Sequence, residues 1–497
     1  MQNRRDQVQA HRFVVSRLTS GLLRADPDLP EPPTRRTDRG VAFGAVLAAV
    51  LAVGSLVYGL ISPGGATGWR DGRTLVVERG TGTRYLFDGD RLRPVRNYAS
   101  ARLLVGADLT TDTVSAASLH GTAHGDPVGI EGAPDDLPPA APSGSGAWQV
   151  CAGTRPSDSG GRTGTTTLLV DSGPSGDAVP AGVLVRETGG DLFLAWHGAR
   201  FRLAAGQATA AALGYGAADP LPVSAAFLDA VPAGADLAAP RVEGQGAAGP
   251  DVDGAATRIG QVFVVRTPGS AQQYYLLLRS GLTPVTTTQA ALLLGASDTR
   301  ARAYGGKAPQ ALALSPNTLE GMPAPKGLTD EAAGVERSGT AMPAAPPALA
   351  QPRSDQDLCV RLTPKGDAGT GVALVTEDSS AVAAGATAPG RALAPACLAV
   401  DAVSVPASGG ALVRALDSSG ASMGDTTYLV TDTGRKYRIA SADAATALGY
   451  DPKRARQLPF PLLDMLPTGP DLSPEAAQEG RSEAADGGRC AGGNGAS

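Results

Sequence analysis

The side chains best suited to move a proton near neutral pH are four histidines, His11, His120, His124 and His197. A hydrolytic triad needs one of them beside a nucleophile and an orienting carboxylate, and the spacing offers no such grouping. His11 lies far from the others. His120 and His124 are four apart beside Asp126, which on a helix would aim both at one metal ion. Gly121, Gly125 and Pro127 instead predict a loop. His197 follows Trp196 inside a predicted hairpin and reads as an exposed turn residue. The acidic pair Asp135-Asp136 sits among prolines without a partner acid at a recognisable spacing. A P-loop requires Gly-x-x-x-x-Gly-Lys followed by Ser or Thr, so that backbone amides cradle phosphate and the hydroxyl binds magnesium. The nearest approach, Gly305-Gly306-Lys307-Ala308, lacks the hydroxyl and the first glycine and reads as a turn with a solvated lysine. No catalytic residue, metal ligand or cofactor is therefore predicted.

The strongest signal lies elsewhere. Val41 to Ser62 is a 22-residue stretch without a charged side chain, ending at Pro63-Gly64-Gly65. About 20 apolar residues suffice for a helix to cross the hydrocarbon core, whereas a cleaved signal carries an apolar region of only about 7–15 residues near the N-terminus. The stretch predicts a single transmembrane helix. Arg4, Arg5, Arg12, Arg17, Arg24, Arg35, Arg36 and Arg39 precede it, so the N-terminus is expected in the cytoplasm and the bulk of the chain outside. Gly40, Gly44, Ala48 and Ala52 recur at four-residue intervals, the small-residue face that packed membrane helices use. Between Arg4 and Leu23, Val8, Val15, Leu18 and Leu22 fall at helical spacing among basic residues, which fits docking to a partner subunit or rest on anionic lipid.

A net charge of −5 and 4% aromatic residues give neither a basic field nor stacking platforms for nucleic acid. With 65 Gly and 39 Pro, turn-rich β structure is expected. One pattern of strand, turn, short strand and Ala-rich helix recurs four times. It runs from Tyr85-Leu86-Phe87 to Gly106, from Leu192-Phe193-Leu194 to Tyr215, from Tyr275-Leu276-Leu277-Leu278 to Gly295, and from Tyr428-Leu429-Val430 to Tyr450. The second and fourth share an extension, Leu221-Pro222-Val223 to Val231-Pro232 and Leu458-Pro459 to Leu466-Pro467. Each unit reads as a hairpin covered by a helix. The spacing of the copies is too uneven for a solenoid.

Cys151, Cys359, Cys397 and Cys490 all follow the span, on the side where disulfides persist, and no two are close enough for a zinc site. Three pairings are possible by count. Trp148-Gln149-Val150-Cys151 with Thr167 to Val170, and Leu358 to Leu362 with Val372 to Val375, look like related strand pairs, each with Cys on its first strand. They predict a central β domain with Cys151–Cys359 as its disulfide, leaving Cys397 with Cys490. The expected partition is 1–40 basic cytoplasmic segment, 41–62 span, 63–110 first copy, 111–180 central domain, 181–245 second copy and 246–325 third copy. A Pro/Ala-rich linker follows at 326–352, with Pro346 to Pro352 as an exposed connection. The central domain resumes at 353–404, the fourth copy takes 405–470, and a disordered tail takes 471–497. The fold class is mixed α+β: one N-terminal membrane helix, then four hairpin-plus-helix repeats around a disulfide-bearing β domain.

Across nearly its whole length the chain resembles the EccB family, the single-span membrane subunit of type VII (ESX) secretion systems. The resemblance rests on Gln7-Val8-Gln9-Ala10-His11-Arg12-Phe13 through the span to Gly68-Trp69, then Tyr85-Leu86-Phe87 and Pro94-Val95-Arg96-Asn97. Gly129 to Pro138 and the Trp148 to Cys151 block add to it. The segment around Cys397 and the Cys490 tail depart from the family pattern. The resemblance implies four repeats around a disulfide-bearing core, and a structural place in an oligomeric membrane complex beside an FtsK/SpoIIIE-type motor ATPase and other membrane subunits. Some members are described as ATPases, so the resemblance also implies an alternative in which the external region binds and hydrolyses ATP. A cell-wall-binding module is a further reading, for which Trp69, Trp148 and Trp196 are the only, isolated platforms.

Overall fold

A computed structural model of the chain describes residues 4–24, 35–61, 67–140, 146–156, 162–173, 175–321, 340–365, 369–417, 420–484 and 490. Helix α1 (Arg4–Arg24) precedes α2 (Arg35–Ile61). Helix α2 begins ahead of the apolar run expected at 41–62, because Arg35, Arg36 and Arg39 are helical and Asp38 sits in the first turn, where the helix dipole favours a carboxylate. Thr37–Tyr58 is long and apolar enough to span a membrane, and none of it is buried against the rest of the chain. Ser62 and Pro63-Gly64-Gly65 lie outside the described residues.

Beyond these two helices the described residues form five sheets. The first is built from β1 (Thr74–Glu78), β2 (Arg84–Asp88), β3 (Arg91–Pro94), helix α3 (Tyr98–Val105), β4 (Thr110–Val114), α4 (Ala116–Leu119) and β5 (Ala123–His124). Strands β6 (Ala147–Pro156), β7 (Arg162–Ser172) and β8 (Asp177–Ala178) belong to a central sheet. The second small sheet has β9 (Val183–Glu187), β10 (Leu192–Trp196), β11 (Ala199–Arg202), α5 (Gln207–Ala212), β12 (Leu221–Val223) and α6 (Ala225–Asp229). The third has β13 (Val262–Val265), β14 (Gln273–Leu278), β15 (Gly281–Val285), α7 (Thr287–Gly295), β16 (Leu312–Ala313) and α8 (Pro316–Gly321). The central sheet resumes with β17 (Gln356–Pro364), β18 (Thr370–Asp378), α9 (Ser379–Ala383) and β19 (Ala402–Ser404). The last small sheet is β20 (Gly410–Leu416), β21 (Ser422–Thr431), β22 (Lys436–Ile439), α10 (Ala442–Ala447), β23 (Arg456–Pro459) and α11 (Phe460–Asp464), and α12 (Pro474–Glu479) follows.

In each small sheet three consecutive strands pair antiparallel, a helix follows, and a fourth strand returns parallel to the first. Local sequence sets the turn into each helix. Asn97 accepts a hydrogen bond from the Ser100 amide, Thr286 and Gln289 form a capping box, and Ser441 accepts from the Ala444 amide. The expected hairpin-plus-helix unit is thus short by two strands. The missed fourth strand moves β4, α4 and β5 into the first sheet, although residues 111–124 were expected in the central domain.

The central sheet has the order β19-β7-β6-β17-β18-β8. One face, with Trp148, Val150, Val360 and Leu362, packs against Phe227 and Leu228 of α6 and against Leu462 and Leu463 of α11. The segments that follow the fourth strand of the second and fourth small sheets are therefore the part that covers this sheet. The second and third sheets meet through α5 and α7, where a Cβ on Gly295 would fall within 2.2 Å of the Ala212 Cβ. The first and fourth meet through α3, α10 and α12, around Leu103, Ile130, Leu448 and Leu472.

Two segments expected to need no fold are held in place. In the supposed linker, the Gly182 amide donates to the Ala348 carbonyl, the Ala350 amide donates to the Gly182 carbonyl, and the Tyr215 hydroxyl donates to the Pro347 carbonyl. Its part at 326–339 lies outside the described residues. In the supposed tail, Leu472 and Ala477 are fully buried, Arg438 pairs with Asp471, and the Gly129 amide donates to the Ala477 carbonyl.

Candidate functional site

On α1, Val8, Val15, Leu18 and Leu22 are exposed together with Phe13 and Val14. The amphipathic helix thus presents apolar side chains with no cover from its own chain. On α2, Gly40, Gly44, Ala48 and Ala52 are likewise exposed, and nothing in the chain approaches within 4 Å of a Cβ placed on either glycine.

The disulfide Cys151–Cys359 bridges β6 and β17, and Cys397–Cys490 ties the end of the chain to the segment before β19. Around the first bond, on the sheet face opposite Trp148, lies a buried polar cluster. Asp357, Cys359 and Arg361 alternate along β17, and Arg361 stands opposite Gln149. Glu377 on β18 stands opposite Asp357. Its Oε1 accepts from Gln149 at 3.1 Å, Ser175 at 2.9 Å and Arg361 at 3.4 Å. Asp357 accepts from the Ser379 hydroxyl at 2.6 Å, which fastens α9 over the disulfide. Burial pushes the Asp357 carboxyl above its ordinary range, against a smaller lowering by the Ser379 hydrogen bond. Gly153 is required here, since a Cβ would sit 2.7 Å from the Asp357 carboxylate. This cluster escaped the sequence reading. Its only signal was the period-two placement of Asp357, Cys359 and Arg361, which puts them on one strand face.

The sequence candidates for chemistry remain apart. His120 follows α4, and His124 lies on β5 edge-on to Tyr85 with ring centroids 5.5 Å apart. His197 occupies a turn with φ of 48° and stacks on Trp196 at 4.0 Å. Asp135 pairs with Arg84 and accepts from the Tyr98 amide, so it anchors the start of α3. Gly305 and Gly306 form a positive-φ turn after a π-helical segment, Thr299–Ala303, and Lys307 is exposed. Among the described residues no three His, Cys, Asp or Glu side chains gather as metal ligands.

The whole chain is similar to known proteins. The family model for the type VII secretion system ESX-1 transport TM domain B matches residues 2–485. The ESX-3 secretion system ATPase EccB3 of Mycolicibacterium smegmatis is 30% identical over 498 residues, covering 94% of this chain and 89% of that protein. The ESX-1 secretion system ATPase EccB1 of the same species is 27% identical, covering 95% and 94%. Among solved structures, a chain of the intact ESX-5 inner membrane complex superposes with a TM-score of 0.60 at 25% identity, covering 96% of this chain and 95% of its own. The EccB3 dimer from the ESX-3 core complex gives 0.63 at 25% identity, covering 81% and 99%. With one apolar helix among the described residues, this succession of sheets and a family match from residue 2 to residue 485, the chain belongs to the EccB family of type VII secretion proteins.

Proposed function

We propose that the chain is a structural, membrane-anchored core subunit of a type VII secretion complex that stabilises the assembly on the external side of the cytoplasmic membrane. The observation that carries this reading is a single unburied apolar helix, Thr37–Tyr58, feeding a body of five interlocked sheets. That body follows the fold of EccB chains solved within ESX complexes. The arginines before the span put the N-terminus in the cytoplasm. There the exposed face of α1 meets either a membrane subunit, with an FtsK/SpoIIIE-type motor ATPase as the expected partner, or the anionic lipid surface. The small face Gly40, Gly44, Ala48 and Ala52 suits contact with a second membrane helix. The common strand order of the small sheets supports reading them as four copies of one unit, and the solved EccB3 dimer supports an oligomeric state here.

A second reading, ATP hydrolysis by the external region, is favoured by the word ATPase in the names of EccB relatives. Mild-detergent purification of the full-length protein from its native membrane, with mass spectrometry of what accompanies it, tests the first. Recovery of a motor ATPase and multi-span subunits in fixed ratio is expected, and deletion of residues 1–24 should release the cytoplasmic partner while the external body stays folded. Recovery of the protein alone would overturn the proposal.

A further inference from the structure

Between the second and third sheets lies an open cavity of about 750 Å³. Its floor is built from small residues, including Ala208 and Ala212 of α5 and Gly295 at the end of α7. Three arginines line it: Arg241 from the connection between the two sheets, and Arg300 and Arg302 from the π-helical turn Thr299–Ala303. Neighbouring arginines of the second sheet are neutralised, Arg200 by Asp229 and Arg202 by Asp236. Among the described residues no ion pair engages Arg241, Arg300 or Arg302. Asp298 is the one acidic residue of the lining. The turn Gly305-Gly306-Lys307 adjoins this wall: Arg300 Nε donates to the Gly306 carbonyl at 3.0 Å, and Ala308 and Pro309, just after Lys307, also line the cavity.

Three arginines without an ion pair line one cavity against a single acidic residue, Asp298, which gives a chain of net charge −5 a local excess of positive charge. Guanidinium forks match phosphate oxygens in geometry and charge, and π-helical turns recur at functional sites. The lining contains no aromatic side chain to stack on a base. We propose that this cavity binds a short linear oligophosphate through its phosphates alone, whether that chain is the tail of a nucleotide or a base-free polyphosphate. The site is unrelated to a P-loop, because it uses side-chain guanidinium groups in place of a backbone cradle. It does not rest on membership of a complex, so failure of the co-purification would leave it standing.

The test is isothermal titration of full-length protein in detergent with tripolyphosphate, ATP and adenosine in separate arms. Tripolyphosphate and ATP should bind with Kd values within about threefold of each other, adenosine should not bind, and affinity should fall as salt rises. The combined variant R241Q, R300Q and R302Q should weaken phosphate binding by about tenfold or more, since charge-assisted bonds are lost. Should that variant melt early, A208E, which sets a carboxylate on the exposed floor, should weaken binding in the same way. Binding of ATP without tripolyphosphate would overturn the phosphate-only reading. Absence of binding, or undiminished binding by the variants, would overturn the site.

Discussion

Cys151 and Cys359 stand opposite each other in the β6–β17 pairing, 4.0 Å apart at Cα although 208 residues separate them in the chain. The bond closes a loop that contains the second and third sheets entire, so the central sheet is one body made from two distant segments. In the chain-entropy model, closing so long a loop contributes about 4–5 kcal/mol. The double variant Cys151→Ala, Cys359→Ala should melt well below the parent in oxidising buffer, and the two should converge in reductant strong enough to open the parent's bond. Equal melting of the two in oxidising buffer would sink this role.

Helices α6 and α11 occupy corresponding places after the fourth strand of the second and fourth sheets, and both press on the central sheet. Phe227 and Leu462 are fully buried there. Phe227→Ala or Leu462→Ala should each cost about 2–5 kcal/mol in chemical denaturation, as large-to-small changes in a tight core do. Leu319 on α8, the corresponding helix of the third sheet, is only partly buried, and Leu319→Ala should cost distinctly less. A similar loss at all three positions would show that the shared extension does not mark the sheet-covering helices.

The extension Leu221-Pro222-Val223 and its counterpart Leu458-Pro459 illustrate what the sequence makes legible. Their likeness could be seen, but not that each is a strand returning parallel to β9 or β20, because three or four residues carry no period and the partner lies far upstream. The apolar helix, the mixed class and the strands bearing Cys151 and Cys359 were legible, since long apolar runs and alternation leave a direct trace. The supposed linker was misread because backbone hydrogen bonds to Ala348 and Gly182 have no side-chain signature. The C-terminal segment was misread because Ala477 is small and its neighbours polar, so its burial cannot be seen until α3 lies against it. Beside the cavity, Lys307 stood out through its glycines, while Arg241 and Arg302 gave no signal because they come to line one cavity only in the folded chain.

Asp357 gives a pH test of the polar cluster. Its folded-state value is raised by burial above the ordinary 3.8, so the folded state holds this proton more tightly than the unfolded chain does. The resulting stability is fully present below the unfolded value and is lost as pH rises through the folded value. At neutral pH the ionised carboxylate therefore destabilises the fold. Asp357→Asn keeps an acceptor for Ser379 and should raise the melting temperature at pH 7, with the difference shrinking as pH falls toward 3.8. A lower melting temperature at pH 7 would mean that the ionised form is the one the cluster is built to hold.

The C-terminal segment crosses from the fourth sheet onto the first. Leu472 fills the core shared with Leu103 and Ile130, the Ala477 carbonyl accepts from the Gly129 amide, and the Ser482 hydroxyl donates to the Glu131 carbonyl. Because these contacts hold the segment independently of Cys397–Cys490, the disulfide and the docking are separable. Cys490→Ser should lower stability in oxidising buffer while leaving α12 in place. Deleting residues 471–497 should uncover α3 and speed hydrogen exchange of its amides by about tenfold or more, because local opening then exposes a face that Leu472 had sealed. If α3 amides exchange equally slowly in the deleted protein, the segment adds nothing to the protection of α3, and its contact with α10 suffices.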